Sequence, residues 1–139
     1  MVGYSGTPLA KKLGIVDDTR VLTINAPSEF VDWLAPIPDR VALSSRLRTA
    51  DVVVAFCVTE GDLMKARDRA VRAISPTGAI WICWPKKASG IDSPLQKRET
   101  MMEVMFQPGL VDIKIGAVSD VWSGLKFVVR TELRPDWDT

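Results

Sequence analysis

Residues 51–58 read DVVVAFCV, and this stretch decides which class of fold the chain can form. Every residue after Asp51 is apolar, and most of them are valines. A strand with no polar side has to be covered on both faces, which is the usual situation of strands in a parallel sheet flanked by helices. The stretch therefore predicts a buried strand of a parallel sheet in an α/β domain.

The segments on both sides of this strand alternate between strand-like and helix-like patterns. Strands are predicted at residues 20–25, 40–44, 51–58, 79–84, 110–118 and 125–130, and helices at residues 7–14, 27–34, 59–74 and 93–106. A loop of hairpin length joins the last two strands, so the final strand is expected to be antiparallel. We predict one three-layer, Rossmann-like α/β domain over residues 1–139, with a mostly parallel six-stranded sheet that ends in an antiparallel hairpin.

Several boundaries of these elements follow from local signals. Thr59 and Asp62 have the spacing of a helix capping box, and so do Ser93 and Gln96, which are expected to open a helix that continues to about residue 106. Residues 75–78 (SPTG) predict a turn.

Both ends of the chain also carry such signals. Thr7 is expected to cap the first helix, with Pro8 in its first turn and Gly14 at its end. The tail after Leu133 contains a proline and is expected to be loose.

The composition excludes several kinds of catalytic and metal chemistry. The chain contains no histidine, so a Ser-His-Asp or Cys-His arrangement is ruled out. Cys57 and Cys83 lie in apolar runs and are interpreted as core residues. Two distant cysteines without histidine do not close a zinc site, so no metal is predicted.

The net charge and the hydropathy of the chain limit which binding partners and which cellular location we expect. The net charge is +1, which provides no whole-protein basic field, so general nucleic-acid affinity is not predicted. No run of apolar residues is long enough for a signal peptide or a membrane span. We expect a cytoplasmic protein without a membrane partner.

Residues 51–84 resemble the second half of a Rossmann-like methyltransferase domain. The resemblance rests on the hydrophobic strand, the amphipathic helix that follows, the ISPTG segment at residues 74–78, and the apolar strand AIWICW at residues 79–84. The helix and hairpin at residues 94–131 are similar to the way that fold ends. The resemblance implies a sheet with strand order two, one, three, four, six, five.

The whole chain also resembles a bacterial family known as domain of unknown function three-zero-five-two. The resemblance is carried by GYSGTPLAKKLG at residues 3–14, WPKKASG at residues 84–90, GLVD at residues 109–112 and WSGL at residues 122–125. It implies no known activity.

The chain departs from the methyltransferase pattern where those enzymes hold their cofactor. Their first strand ends in a glycine-rich turn that lets the backbone approach the cofactor, but residues 25–28 read NAPS. An acidic residue should follow the second strand to bind ribose hydroxyls, but Ser44, Ser45 and Arg46 stand there. The resemblance therefore extends to the fold, whereas no cofactor is predicted.

Candidate ligand-binding residues follow from the expected sheet. Ligands of open parallel sheets bind beyond the carboxyl ends of the strands, near the point where the strand order reverses. Asn25 and Thr59 are expected nearest that point, with Ser45, Lys86 and Lys87 along the same edge. In the loop at residues 86–90 (KKASG), Lys86, Lys87 and Ser89 could hold a phosphate or carboxylate, although a solvated loop explains the same residues.

Aromatic residues near this edge have two interpretations each. Trp84 ends a strand and could face the crevice, and Trp122 could either lie beside a ligand or close the core. Trp81 is interpreted as core.

Two further segments have alternative interpretations. Residues 4–7 (YSGT) could meet an anion at a helix start, although a plain cap is favoured. Met101, Met102 and Met105 are interpreted as helix packing, with a homodimer patch as the alternative.

Two functional hypotheses remain open from the sequence. The first is a non-catalytic Rossmann-like module that binds a small anion or a protein partner, and it is favoured because the glycine turn and histidines are missing. The alternative is a divergent methyltransferase-like transferase, in which Lys86 or Lys87 orients an anionic substrate and Asn25 touches the cofactor. A pure oligomerisation module is a third interpretation.

Overall fold

The computed structural model describes residues 7–106 and 108–137. It contains six strands, β1 (Arg20–Ile24), β2 (Ala42–Ser44), β3 (Ala50–Phe56), β4 (Ile74–Pro85), β5 (Leu110–Ala117) and β6 (Trp122–Val129). It also contains four α-helices, α1 (Leu9–Leu13), α2 (Phe30–Trp33), α3 (Glu60–Ala73) and α4 (Arg98–Met105). None of the helices in this part of the chain is long and apolar enough to cross a membrane.

The six strands form one sheet with the order β2-β1-β3-β4-β6-β5, which confirms the predicted order. The pairs from β2 to β4 are parallel, and β6 pairs antiparallel with both β4 and β5. Strand order reverses between β1 and β3, where the chain leaves β1 toward one side and β3 toward the other. The carboxyl ends of these two strands form the switch point of the sheet.

Helices cover the sheet on both faces and bury a separate core cluster on each. On the first face, α3 and α4 pack on the sheet and bury Leu63, Ala66, Ala70, Met101 and Met105. On the second face, α1 and α2 bury Leu9, Leu13 and Phe30 against β3 and β4. The valines of β3 divide between the two clusters, so the all-apolar strand has the double burial that its sequence predicts.

The capping box at the start of α3 is confirmed. The backbone N–H of Asp62 donates to Thr59 Oγ1 at 3.0 Å, and the backbone N–H of Thr59 donates to Asp62 Oδ2 at 3.1 Å. Two N–H groups that a helix start leaves without partners are thereby satisfied.

The predicted turn at residues 75–78 is wrong, because β4 already begins at Ile74. Ile74 pairs with Ala50, and regular pairing resumes at Ala79 opposite Val52, so the intervening residues form a bulge in the strand. Gly78 makes this bulge possible, since a Cβ atom there would lie 2.6 Å from the carbonyl oxygen of Asp51. The segment bends like a turn but stays in the sheet.

The first, second and fourth helices begin later than their sequence signals indicate, the second at Phe30 instead of residue 27. The residue before α1 is Pro8, and no side-chain cap is formed, so Thr7 does not cap it, whereas Gly14 ends α1 in a left-handed conformation as predicted. Ser93 opens only a 3₁₀ turn, Pro94–Gln96, by accepting from the N–H of Leu95. The extended backbone of Lys97 then separates that turn from α4.

The prediction of a loose tail is wrong for the residues described after β6, which end at Trp137. Residues Thr131–Asp136 form a 3₁₀ helix, and the indole N–H of Trp137 donates to the carbonyl of Ile74 at 3.1 Å. Trp137 also packs against the core cluster of the first face, and this contact anchors the tail.

Candidate functional site

The carboxyl edge of the sheet at β1 and β3 is the expected position of a ligand site. Asn25 follows directly after β1 and is exposed, with a φ of 55° in the left-handed region. Asparagine tolerates this conformation better than most residues. The chain therefore bends after β1 without a glycine, but the bend carries a side chain where the methyltransferase pattern has none.

A row of aromatic rings fills the second face of the sheet beside this bend. Phe30 of α2 packs edge-to-face on Phe56, the last residue of β3, with ring centroids 5.3 Å apart. Phe56 in turn meets Trp122 at 5.0 Å, and Phe30 meets Trp33 at 6.2 Å. Phe30 is only 1% exposed, so its ring is buried between α2 and the end of β3.

The polar groups that follow β3 bond to one another. Asp62 Oδ2 accepts the N–H groups of Val58 and Thr59, both at 3.1 Å, and these bonds lower the pKa of the Asp62 carboxyl below its usual range. Ser93 donates its hydroxyl to the carbonyl of Val58. Thr59 is exposed as expected for an edge residue, but its oxygen accepts the Asp62 N–H and serves as a helix cap.

The loop after β4 is held by bonds of its own. Ser89 donates its hydroxyl to the carbonyl of Lys86 at 2.6 Å and accepts the N–H of Ile91 at 3.1 Å, so the hydroxyl stabilises the loop. Gln96 Nε2 donates to the carbonyls of Pro85 and Ile91, both at 2.9 Å. Lys87 is exposed and lines a shallow depression.

The depression beside Lys87 is not purely basic. It is lined by Lys87, Gly90, Ile91, Asp92 and Gln96. The carboxylate of Asp92 opposes an anion there. The structure thus brings Lys87 to an open surface but gives it an unfavourable neighbour.

Trp84 and Trp122 lie on opposite faces of the sheet. Trp84 packs against the cluster under α4 and lines a groove of about 180 Å³ together with Met101, Met102 and Leu125, away from the switch point. Trp122 is half-buried against Phe56, which favours the core interpretation of that residue. Trp81 is fully buried, and its indole N–H donates to the carbonyl of Leu13 at 3.2 Å.

Both cysteines are buried and free, as the sequence indicates. Burial, followed by the nearby charge of Asp62, raises the pKa of the Cys57 thiol to about 12. Burial also raises the pKa of Cys83 far above its usual value. Neither thiol has the thiolate character of a nucleophile at neutral pH.

The predicted site residues therefore form no single constellation. Asn25 and Thr59 follow neighbouring strands, Lys86, Lys87 and Ser89 belong to the next loop, and the two tryptophans point to different faces. Of the YSGT segment, residues 4–6 lie outside the described residues. Sequence reasoning placed Phe30 on the apolar side of its helix but missed its contact with Phe56, because that contact joins residues 26 positions apart.

Solved structures with similar folds include proteins described as methyltransferases. The chain superposes on a fibrillarin pre-rRNA processing protein of Methanococcus jannaschii with a TM-score of 0.65 and 9% identity, covering 91% of this chain and 70% of that one. A protein of Sulfolobus solfataricus described as a type 11 methyltransferase gives a TM-score of 0.62 and 13% identity, with 94% and 95% covered. A SAM-dependent methyltransferase of Aquifex aeolicus gives 0.61 and 11%, with 87% and 88% covered.

These likenesses establish the fold as Rossmann-like and methyltransferase-like, and at such identities they establish the fold alone. No protein-family model and no curated protein matches the chain. The resemblance to domain of unknown function three-zero-five-two is therefore unsupported by these comparisons.

Proposed function

We propose that this domain is a methyltransferase-fold binding module that transfers no methyl group and binds a small anion or a protein partner. The observation that carries the proposal is the packing of Phe30 on Phe56 at the switch point, with Phe30 1% exposed. A cofactor that lay between the ends of β1 and β3 would have to displace this ring. Displacing a buried phenylalanine costs several kcal/mol, roughly 3–5 by analogy with its removal from a core.

Three other features at the edge support the proposal that no adenosyl cofactor binds there. Asn25 places a side chain where close backbone approach is needed, and α2 is a single turn of four residues, Phe30–Trp33. After β2, the hydroxyl of Ser44 accepts the backbone N–H of Arg46, and no carboxylate stands there for ribose hydroxyls. We therefore derive no chemical step through such a cofactor.

The anion in this proposal would meet Lys86 and Lys87 on the loop after β4. They are the first two cationic residues along the chain after β4. Because Ser89 and Thr59 are occupied by structural bonds, the lysines would act without help from those hydroxyls.

A divergent methyltransferase-like transferase is the second candidate. The comparisons favour it over a non-catalytic role, because the structural neighbours named above are described as methyltransferases or as an RNA-processing protein of that fold. The left-handed φ of Asn25 supports it as well, since the main-chain bend after β1 persists without glycine. In this candidate Asn25 would touch the cofactor and Lys86 or Lys87 would orient an anionic substrate.

One titration separates the two candidates. S-adenosylmethionine and S-adenosylhomocysteine are added to the protein in a calorimeter, while ¹H–¹⁵N spectra follow the amides of Asn25, Phe30 and Thr59. The binding module predicts no heat of binding at concentrations that saturate a micromolar site, and no shift of these amides. Micromolar binding with shifts at Asn25 would overturn the module and support the transferase.

The anion is tested separately with inorganic phosphate. We expect amide shifts in residues 86–90 that saturate, and that disappear in the double variant Lys86→Gln, Lys87→Gln. The matched control, Lys11→Gln, changes an exposed lysine on α1 and should leave the shifts intact. Shifts that persist in the double variant would remove the lysines from the site.

A further inference from the structure

The connection from β2 to β3 has an unusual construction. In the sheet order β1 lies between these two strands, so the connection crosses one face of the sheet over β1. Parallel strands are ordinarily joined by a crossover of a dozen or more residues with a helix. Here residues 45–49, with the sequence SRLRT, suffice.

This short crossover is fastened to α3. Leu47 packs against the core cluster on the first face, and its carbonyl accepts a hydrogen bond from Arg69 Nη2. The inward position of Leu47 leaves its neighbours Arg46 and Arg48 exposed on both sides. The hydrogen bond between Leu47 and Arg69 therefore fixes the position of the loop arginines relative to α3.

A second arginine of α3 lies on the same side of the helix as Arg69. Arg72 is exposed and follows Arg69 by three positions, a spacing that places both on one side of a helix. We call Arg46, Arg48, Arg69 and Arg72 the arginine patch. Within the described part of the chain, none of the four forms an ion pair, and the side chains of Arg46, Arg48 and Arg72 form no hydrogen bond.

Two of the three acidic side chains of α3 are engaged in other contacts, and the third, Glu60, lies at the opposite end of the helix from Arg72. Asp62 accepts the backbone bonds of the helix start, and Asp68 pairs with Arg67 at 3.0 Å. Arg67 lies toward α4, where it donates to the carbonyl of Val104. The +1 net charge of the whole chain thus conceals a local excess of positive charge.

We propose that the arginine patch binds the phosphate backbone of a nucleic acid without reading its bases. Guanidinium groups present planar, paired donors that match phosphate oxygens. A protein partner is less favoured, because protein interfaces have an apolar centre. The large exposed apolar side chain of α3, Met64, lies roughly 140° around the helix from Arg69.

The proposal is independent of whether the carboxyl edge binds a cofactor. It also refines the expectation from net charge, which concerns the field of the whole protein and not a local cluster. Without aromatic rings in the patch, binding would depend on charge and therefore on salt.

The test is fluorescence anisotropy of the full chain with a labelled oligouridine and with a random DNA duplex of the same length, at several salt concentrations. Four neutralised phosphates predict a slope of log K against log salt of about −3 for the single strand and about −3.6 for the duplex. The variant Arg46→Glu, Arg48→Glu should weaken binding at least tenfold and reduce the slope by about half. Its melting temperature should match the parent, because neither side chain has a bonded partner.

The matched control is Lys11→Glu, Lys114→Glu, which makes the same charge change at exposed residues of α1 and β5. It should bind within about twofold of the parent. The proposal is overturned if the parent binds neither probe, if the control weakens binding as much as the arginine variant, or if polyglutamate competes as well as the oligonucleotide. The last result would indicate an acidic protein partner.

Discussion

The ring of Phe30 meets that of Phe56 edge-to-face, with centroids 5.3 Å apart and planes at 71°. This contact joins the helix after β1 to the end of β3, which are the two elements that border the switch point of the sheet. In an open α/β sheet that position is where a ligand ordinarily binds. Here Phe30 and Phe56 pack together beside that position.

Phe30→Ala tests how much that contact contributes to the stability of the fold. Because Phe30 is 1% exposed, its truncation should lower the free energy of unfolding by about 3–5 kcal/mol, measured by urea denaturation. Val31→Ala is the matched control, since Val31 is 44% exposed and should change stability by less than about 0.5 kcal/mol. Similar effects of the two variants would mean that Phe30 does not close the switch point.

Replacement by alanine is expected to have opposite effects on stability at two glycines, Gly78 in the β4 bulge and Gly61 in α3. Gly78→Ala should destabilise by about 1–3 kcal/mol, because its Cβ would lie 2.6 Å from the carbonyl oxygen of Asp51. Gly61→Ala should stabilise α3 by about 0.5–1 kcal/mol, because the nearest atom to its Cβ is 3.7 Å away and alanine favours helix. Thermal unfolding of both variants checks the prediction, and a neutral Gly78→Ala would contradict the bulge.

The capping box predicts a dependence of stability on pH. Its backbone hydrogen bonds lower the pKa of Asp62 in the folded protein, so Asp62 stabilises the fold above the ordinary aspartate pKa. This stabilisation is lost as the pH falls through the folded value. The stability difference between the parent and Asp62→Asn should therefore stay constant above about pH 5, and shrink as the pH falls from there through the folded pKa of Asp62.

Two further variants in the same helix turn test the contribution of the capping box to stability. Thr59→Ala should cost about 1 kcal/mol at neutral pH through loss of the cap. Glu60→Gln changes an exposed carboxylate in the same turn and is the control, for which we expect little effect. A difference for Asp62→Asn that stays constant as the pH falls would be inconsistent with the hydrogen bonds described.

The buried thiols predict slow chemical modification. With the pKa of Cys57 raised to about 12, and that of Cys83 also raised well above its usual value by burial, the thiolate fraction at pH 8 is negligible. Iodoacetamide at pH 8 should leave the folded protein unmodified and add two labels after denaturation in guanidinium, as read by mass spectrometry. Rapid labelling of the folded protein would show that the strands open around these residues.

The fold could be predicted from the sequence because its signals are local. An apolar run such as residues 51–58 indicates a strand buried on both faces, and the spacing of Thr59 and Asp62 indicates where a helix begins. The strand order followed from the resemblance to a methyltransferase and agrees with the structure. Boundaries were predicted less well where hydrogen bonds to residues distant in the sequence set them. Examples are the bulge before Ala79, which depends on pairing with β3, and Trp137, which bonds to Ile74.

The candidate site could not be predicted to the same extent. The sequence named Thr59 and Ser89 as ligand-binding hydroxyls, but in the fold both oxygens accept nearby backbone N–H groups, and the Ser89 hydroxyl also donates to a carbonyl. Such bonds depend on the path of a loop, which residue types alone do not specify.

The amino-acid sequence alone specified the two-sided burial of the central strand, the alternation of strands and helices, and the absence of histidine chemistry. These follow from residue type and spacing along the chain. The packing of Phe30 on Phe56, and the bond of Arg69 to the carbonyl between Arg46 and Arg48, arise only in the folded chain. Those contacts join residues more than twenty positions apart, and their distances are set by the packing of whole elements.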